Sequence, residues 1–199
     1  YPYSDLASHV IGFVGTDYTG LYGIEAEYEN RLQGESGLVV TAKDNLGNDM
    51  LYEYSQYFAA ENGENLELTL DATVQYYLQK GIEEMCDAFS PANGAAGVVL
   101  NVNSGAILGM ASYPNYDLND FSVITDQTLL EQIEREEITE SQAQLTQWRN
   151  KCLNDTYEPG STFKVVSAAA GIGEGFEDFT TDDEGKTNVG GKEFKNAGE

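Results

Sequence analysis

Tyr157-Glu158-Pro159-Gly160-Ser161-Thr162-Phe163-Lys164, running straight into Val165-Val166-Ser167-Ala168-Ala169-Ala170, is the stretch from which the rest of the chain is best read. Pro159 and Gly160 make a turn, and the residues from Ser161 onward favour a helix with no proline to interrupt it. Ser161 and Lys164 stand three apart, so on a helix surface their Cβ atoms are neighbours, about 5–6 Å apart. Helical side chains lean toward the N-terminus, which aims the Lys164 amine at the Ser161 hydroxyl. The first helical turn is the positive end of the dipole and disfavours a cation. Phe163, Val165 and Val166 suggest an apolar surround that disfavours charge further. A neutral amine can take a serine proton, and an ammonium cannot. The Ser161 N–H, at the helix start, is expected to be free to donate to an oxyanion. The only histidine, His9, lies far away in sequence, so serine chemistry here needs another base.

In a chain with 11 serines and 7 lysines, the bare four-residue spacing is equally that of a capped helix with a solvated lysine. Its flanks and the rest of the chain carry the weight. The 199 residues allow one or two domains, and 41% hydrophobic with 11% aromatic residues suffices for a folded core. With 34 acidic and 10 basic residues the net charge is −24. Such a surface repels phosphate backbones and argues against nucleic-acid binding. The acidic residues are spread along the chain and read as solvated faces. No apolar run approaches the ~18 residues of a membrane span, and no signal peptide is visible. Cys86 and Cys152 have no metal-ligand spacing, and one histidine cannot complete a zinc site. They are expected to be free, mostly buried thiols, with a disulfide between them the alternative.

Residues 1–66 read as β-rich with small connecting elements. Gly37–Ala42 and Asp49–Tyr52 flank Asn45-Leu46-Gly47-Asn48, a hairpin-like turn. The polar stretch 61–65 is the expected boundary. A strand over Leu66–Leu70 should follow, then a helix capped by Asp71 with Val74, Tyr77, Leu78, Ile82 and Met85 at helical spacing. Val98–Val102 and Ala106–Ala111 read as strands joined at Asn103-Ser104-Gly105. Leu129 to Trp148 reads as two helical pieces, the second opened by a Thr139/Gln142 capping box. Ile133, Leu145 and Trp148 are assigned to the core. The tail from Glu174 reads as loop with short strands. The expected fold is mixed α/β (α+β), an antiparallel sheet flanked by helices beside a mostly β domain.

The Ser161-x-x-Lys164 segment resembles the active-site serine motif of penicillin-binding proteins. Other blocks resemble the same family in its own order. Tyr1-Pro2-Tyr3 with Ala7 to Gly12, and Gly20 to Glu25 through Leu32-Gln33-Gly34, are similar to the non-catalytic pedestal of class B members. Leu68-Thr69-Leu70-Asp71 with Gln75 resembles the opening of the transpeptidase domain. Gly97-Val98-Val99 through Ser104 to Ser112 and Pro114 resembles its first hairpin, and Asn150-Lys151 onward the run into the nucleophile. The nearest likeness is to the division and sporulation type. The family's other motifs, S-x-N and K-T-G, do not occur, and Lys186-Thr187-Asn188 is too early and lacks the small residue after threonine. The chain is therefore expected to be a fragment, with residues 1–66 a partial pedestal and 67–199 the first part of a transpeptidase domain. Lacking its partner strands, it should expose a sheet edge and apolar faces.

The resemblance implies a peptidoglycan D,D-transpeptidase with Ser161 as nucleophile and Lys164 as base, acylated by β-lactams and needing no cofactor or metal. The fragment alone should be inactive. The implied partners are stem peptides, β-lactams and glycosyltransferase or divisome-type membrane proteins, and no nucleic acid. The implied place is the extracytoplasmic face of the bacterial membrane, held by an anchor outside this chain. Two other readings stay open: a β-lactam-binding sensor or resistance protein, and a non-catalytic scaffold of a wall-synthesis complex. A Ser-His-Asp hydrolase is disfavoured, because Pro159 and Phe163 flank Ser161 where a nucleophile elbow needs glycines.

Overall fold

An 18-residue helix, α4 (Ala72–Phe89), lies on a two-stranded antiparallel sheet of β3 (Ala95–Leu100) and β4 (Ile107–Tyr113). The Asp71 carboxylate starts α4 by accepting from the N–H groups of Thr73 and Val74, both at 2.9 Å. These are donors that a helix start otherwise leaves unpaired. Ser90 ends the helix in the left-handed region at φ 45°. The face toward the sheet carries Val74, Gln75, Leu78, Ile82 and Cys86 at helical spacing. Tyr77 and Met85, expected on that face, are exposed. Two glycines in the sheet let the helix seat closely. A Cβ on Gly97 would stand 3.0 Å from Ile82 Cδ1, and one on Gly109 would stand 3.2 Å from Leu78 Cδ2.

The computed structural model describes residues 1–41, 55–176 and 185–195, arranged as two units, Tyr1–Asp155 and Thr156–Glu199. In the first unit the expected strand Leu66–Leu70 does not form. That segment makes one backbone bond to β4, from Asp71 N–H to Leu108 C=O at 2.9 Å, and Thr69 Oγ1 donates to Ile107 C=O at 2.7 Å. The next backbone groups along β4 belong to Met110, and the Gln75 side chain takes both of them. Gln75 Nε2 donates to Met110 C=O at 2.9 Å, and Met110 N–H donates to Gln75 Oε1 at 2.8 Å.

Residues 1–33 are more helical than the sequence suggests. They form α1 (Ser8–Ile11), α2 (Gly23–Glu27) and α3 (Glu29–Leu32), with one isolated bridge, Val14↔Gly20. Close backbone approach replaces strand pairing here. A Cβ on Gly12, which sits at φ +76°, would fall 1.8 Å from Tyr22 C=O. Strands begin only with β1 (Leu38–Thr41), antiparallel to β2 (Ser55–Phe58). The expected turn at Asn45–Asn48 and the strand at 49–52 lie outside the described residues.

The core joins this first part to residues 116–148. Phe13 is fully buried and stacks on Phe121 at 3.9 Å between ring centroids, with Trp148 edge-on at 5.0 Å. Tyr116 and Leu118 complete the cluster. The Tyr116 hydroxyl donates to Ser8 C=O, and Trp148 Nε1 donates to Phe121 C=O at 2.7 Å. Helix α5 (Gln127–Glu134) is capped by Asp126. Helix α6 (Glu140–Gln147) opens with the expected Thr139/Gln142 capping box. Leu145, expected in the core, is 54% exposed, because α6 turns Ala143 and Gln147 inward instead. Helix α7 (Lys151–Asn154) is pinned at its start by Asn150, whose Nδ2 donates to His9 C=O, and by Lys151 N–H donating to Ser112 Oγ. Cys86 and Cys152 are free thiols.

The second unit contains a 3₁₀ turn (Gly160–Phe163), helix α8 (Lys164–Gly173) and a hairpin of β5 (Lys186–Val189) and β6 (Lys192–Lys195). Gly190 and Gly191, both at positive φ, make its two-residue turn. Among the described residues no helix is long and apolar enough to cross a membrane.

Candidate active site

Pro159 and Gly160 set the turn expected of them. Gly160 lies at φ +54°, where a side chain is strained although a Cβ there would meet nothing within 4 Å. The need for glycine is therefore one of backbone conformation, not of space. The chain then enters the 3₁₀ turn, which continues into α8 at Lys164. Thr162 ties the turn down, its Oγ1 donating to Pro159 C=O at 2.6 Å. Thr162 stands outside the Ser161-x-x-Lys164 pair, although a threonine hydroxyl that bonds back to the carbonyl three residues earlier is a local device readable from sequence.

Ser161 therefore lies in the 3₁₀ turn and Lys164 is the first residue of α8, the two joined across a single i to i+3 turn. In 3₁₀ geometry residues i and i+3 eclipse, so the two side chains leave the backbone in line. The Lys164 N–H donates to Ser161 C=O, which closes the turn. Among the described residues the two side chains share no hydrogen bond. The Ser161 N–H has no backbone acceptor among them either. It remains a donor at the N-terminal end of a helical segment, the kind of group that stabilises an oxyanion.

Among the described residues, the side chains expected to give Lys164 an apolar surround are themselves exposed. Phe163, Val165 and Val166 are 53%, 74% and 54% exposed.

His9, the other candidate base by residue type, is committed to the core of the first unit. Its Nε2–H donates to Gln147 C=O at 3.0 Å, Nδ1 faces Ser8 Oγ at 3.4 Å, and its ring stands edge-on to Tyr116. Burial pushes its pKa from 6.5 down to about 4, with the Lys151 charge adding to the effect.

A family model described as the penicillin binding protein transpeptidase domain matches residues 95–199, which include Ser161 and Lys164. The chain belongs to this family. A second model, the penicillin-binding protein dimerisation domain, matches residues 1–68 of this penicillin-binding protein family member. It is similar to the stage V sporulation protein D of Bacillus subtilis, 34% identical over 87% of this chain and 24% of that protein. It is similar to the peptidoglycan D,D-transpeptidase FtsI of Escherichia coli K12, 26% identical over 88% of this chain and 26% of that protein. The crystal structure of penicillin binding protein 3 from Mycobacterium tuberculosis complexed with ampicillin superposes with a TM-score of 0.68. It is 26% identical and covers 100% of this chain and 36% of that one. The chain spans about a quarter of the length of the curated relatives it matches.

Proposed function

We propose that these residues belong to a peptidoglycan D,D-transpeptidase in which Ser161 is the acylated nucleophile. The observation that carries this reading is the Ser161-x-x-Lys164 pair in a single turn at the head of α8, inside the segment that matches the transpeptidase family model. Ser161 Oγ attacks the carbonyl carbon of the penultimate D-Ala, and its proton passes to Lys164 Nζ. The carbonyl oxygen becomes an oxyanion, for which the Ser161 N–H is one donor. Collapse breaks the peptide bond, and the terminal D-Ala leaves with the proton returned from Lys164. The amine of a neighbouring stem then attacks the ester, its proton passes by way of Lys164 Nζ to Ser161 Oγ, and the C–O bond breaks to release the serine hydroxyl and leave an amide cross-link. A β-lactam amide enters the same first step, but its leaving group stays tethered to the acyl chain.

In this reading residues 1–66 are pedestal and residues 67–199 are the first part of the catalytic domain. The protein works on the outer face of the membrane beside membrane-bound wall-synthesis proteins. The test is gel labelling of the full-length protein with a fluorescent penicillin, followed by an assay of amine-acceptor transfer with a D-Ala-D-Ala donor peptide. Labelling with transfer supports the transpeptidase. Stable labelling without transfer points to the sensor reading, and absence of labelling points to the scaffold.

A further inference from the structure

Arg149 reaches from one end of α7 to the other. Its Nη2 donates to Asn154 C=O and pairs with Asp155 Oδ1 at 2.8 Å. The root of Arg149 is held from both sides. Trp148 before it packs edge-on to Phe13 and donates to Phe121 C=O at 2.7 Å. Asn150 after it is 7% exposed and joins three elements. Its Nδ2 donates to His9 C=O of α1 at 3.2 Å and to Met110 Sδ of β4 at 3.4 Å, and its Oδ1 accepts from Cys152 N–H of α7 at 3.0 Å. The Asn150 C=O then accepts from Asn154 N–H at 3.0 Å and Asn154 Nδ2 at 3.1 Å. Residues 149–155 thus form a loop that starts in the core and is closed on Asp155. An arginine on the last carbonyl of a helix also satisfies a group that the helix end leaves unpaired.

Asp155 is the last residue of the first unit, and Ser161 follows six residues later in the chain. The side chains of Arg149 and Asp155 are 51% and 42% exposed, and exposed ion pairs contribute little to stability. What this one holds is the backbone of Asp155, extended at φ −93° and ψ 142°, where the chain sets out for the Gly160 turn. We infer that Arg149 and Asp155 are positioning residues for acylation at Ser161. Their ion pair fixes the point and direction of departure toward the nucleophile, and through the chain it narrows the orientations in which Ser161 Oγ meets a carbonyl carbon. A nucleophile displaced by a change far from the chemistry loses rate at saturation. The inference rests on the acyl-serine reading above.

The test is the rate of acylation of the full-length protein by benzylpenicillin over a range of concentrations, which separates the limiting rate from the half-saturating concentration. Arg149→Met and Asp155→Asn should each lower the limiting rate about tenfold. The half-saturating concentration and the denaturant midpoint should stay as they are in the unaltered protein. The double variant should be no slower than Arg149→Met, because the two side chains act as one pair. Unchanged limiting rates overturn the inference, as do losses that multiply in the double variant. A rate that falls only together with the denaturant midpoint makes the pair a structural contact and likewise overturns it. If the unaltered protein forms no adduct, the acyl-serine reading fails and takes this inference with it. If the unaltered protein is acylated and the variants match it, this inference fails alone.

Discussion

The side chain of Gln75 takes both backbone groups of Met110, accepting from its N–H at 2.8 Å and donating to its C=O at 2.9 Å. One amide thus does along β4 what a neighbouring strand would do, from a helix residue that is 1% exposed. Gln75→Leu leaves both Met110 groups buried and unpaired, at about 1–3 kcal/mol each. The expected result is a lower denaturant midpoint with an unchanged slope, and faster exchange of the Met110 amide. Gln75→Glu can still accept from the N–H but cannot donate when ionised, so its loss should shrink as pH falls and the carboxyl protonates.

Phe13 holds the N-terminal part of the first unit against Phe121 and Trp148. Phe13→Ala opens a cavity in a fully buried site and should cost about 3–5 kcal/mol by chemical denaturation. Tryptophan fluorescence reports the same change directly, because Trp148 is the single tryptophan.

His9 should make stability depend on pH with a definite sign. Its folded-state pKa of about 4 lies below its ordinary 6.5. Above pH 6.5 it is neutral in both states, and the full contribution is present. As pH falls from 6.5 through 4, the unfolded chain takes up a proton that the folded chain refuses, so stability declines. The loss is roughly 3 kcal/mol. Subtracting the profile of His9→Gln removes the carboxylate background, and the difference between the two proteins should be confined to that window.

Lys164 is tested by charge and by reach. Lys164→Arg puts a permanent cation there that cannot accept a proton, and Lys164→Met keeps the stem without the amine. Both should lower the penicillin acylation rate by about 10²–10⁴-fold with the far-ultraviolet circular dichroism unchanged. Equal acylation by Lys164→Arg would remove lysine from the role of base.

Elements fixed by neighbours in sequence were legible without a structure. The Asp71 cap and the helix after it, the Thr139/Gln142 capping box, and the β3–β4 hairpin with its Asn103-Ser104-Gly105 turn all rest on contacts within a few residues. Features decided at long range were not. Leu66–Leu70 has strand composition, but the Gln75 amide occupies the next backbone groups of β4. Leu145 has core chemistry, yet the rotation of α6 is set by Gln147, whose Oε1 accepts from Thr125 N–H and whose Nε2 donates to Val123 C=O. At the candidate site, the spacing of Ser161 and Lys164 and the free Ser161 N–H were legible because turn geometry is local. The surroundings of Lys164 were not, because burial of Val165 and Val166 depends on what packs there and not on their own hydrophobicity.

The most direct test of the central claim is the intact mass of the full-length protein after incubation with benzylpenicillin, measured beside Ser161→Ala. The account predicts one covalent penicilloyl adduct on the unaltered protein and none on the alanine variant. An adduct that survives Ser161→Ala, or a folded full-length protein that forms none, would contradict it.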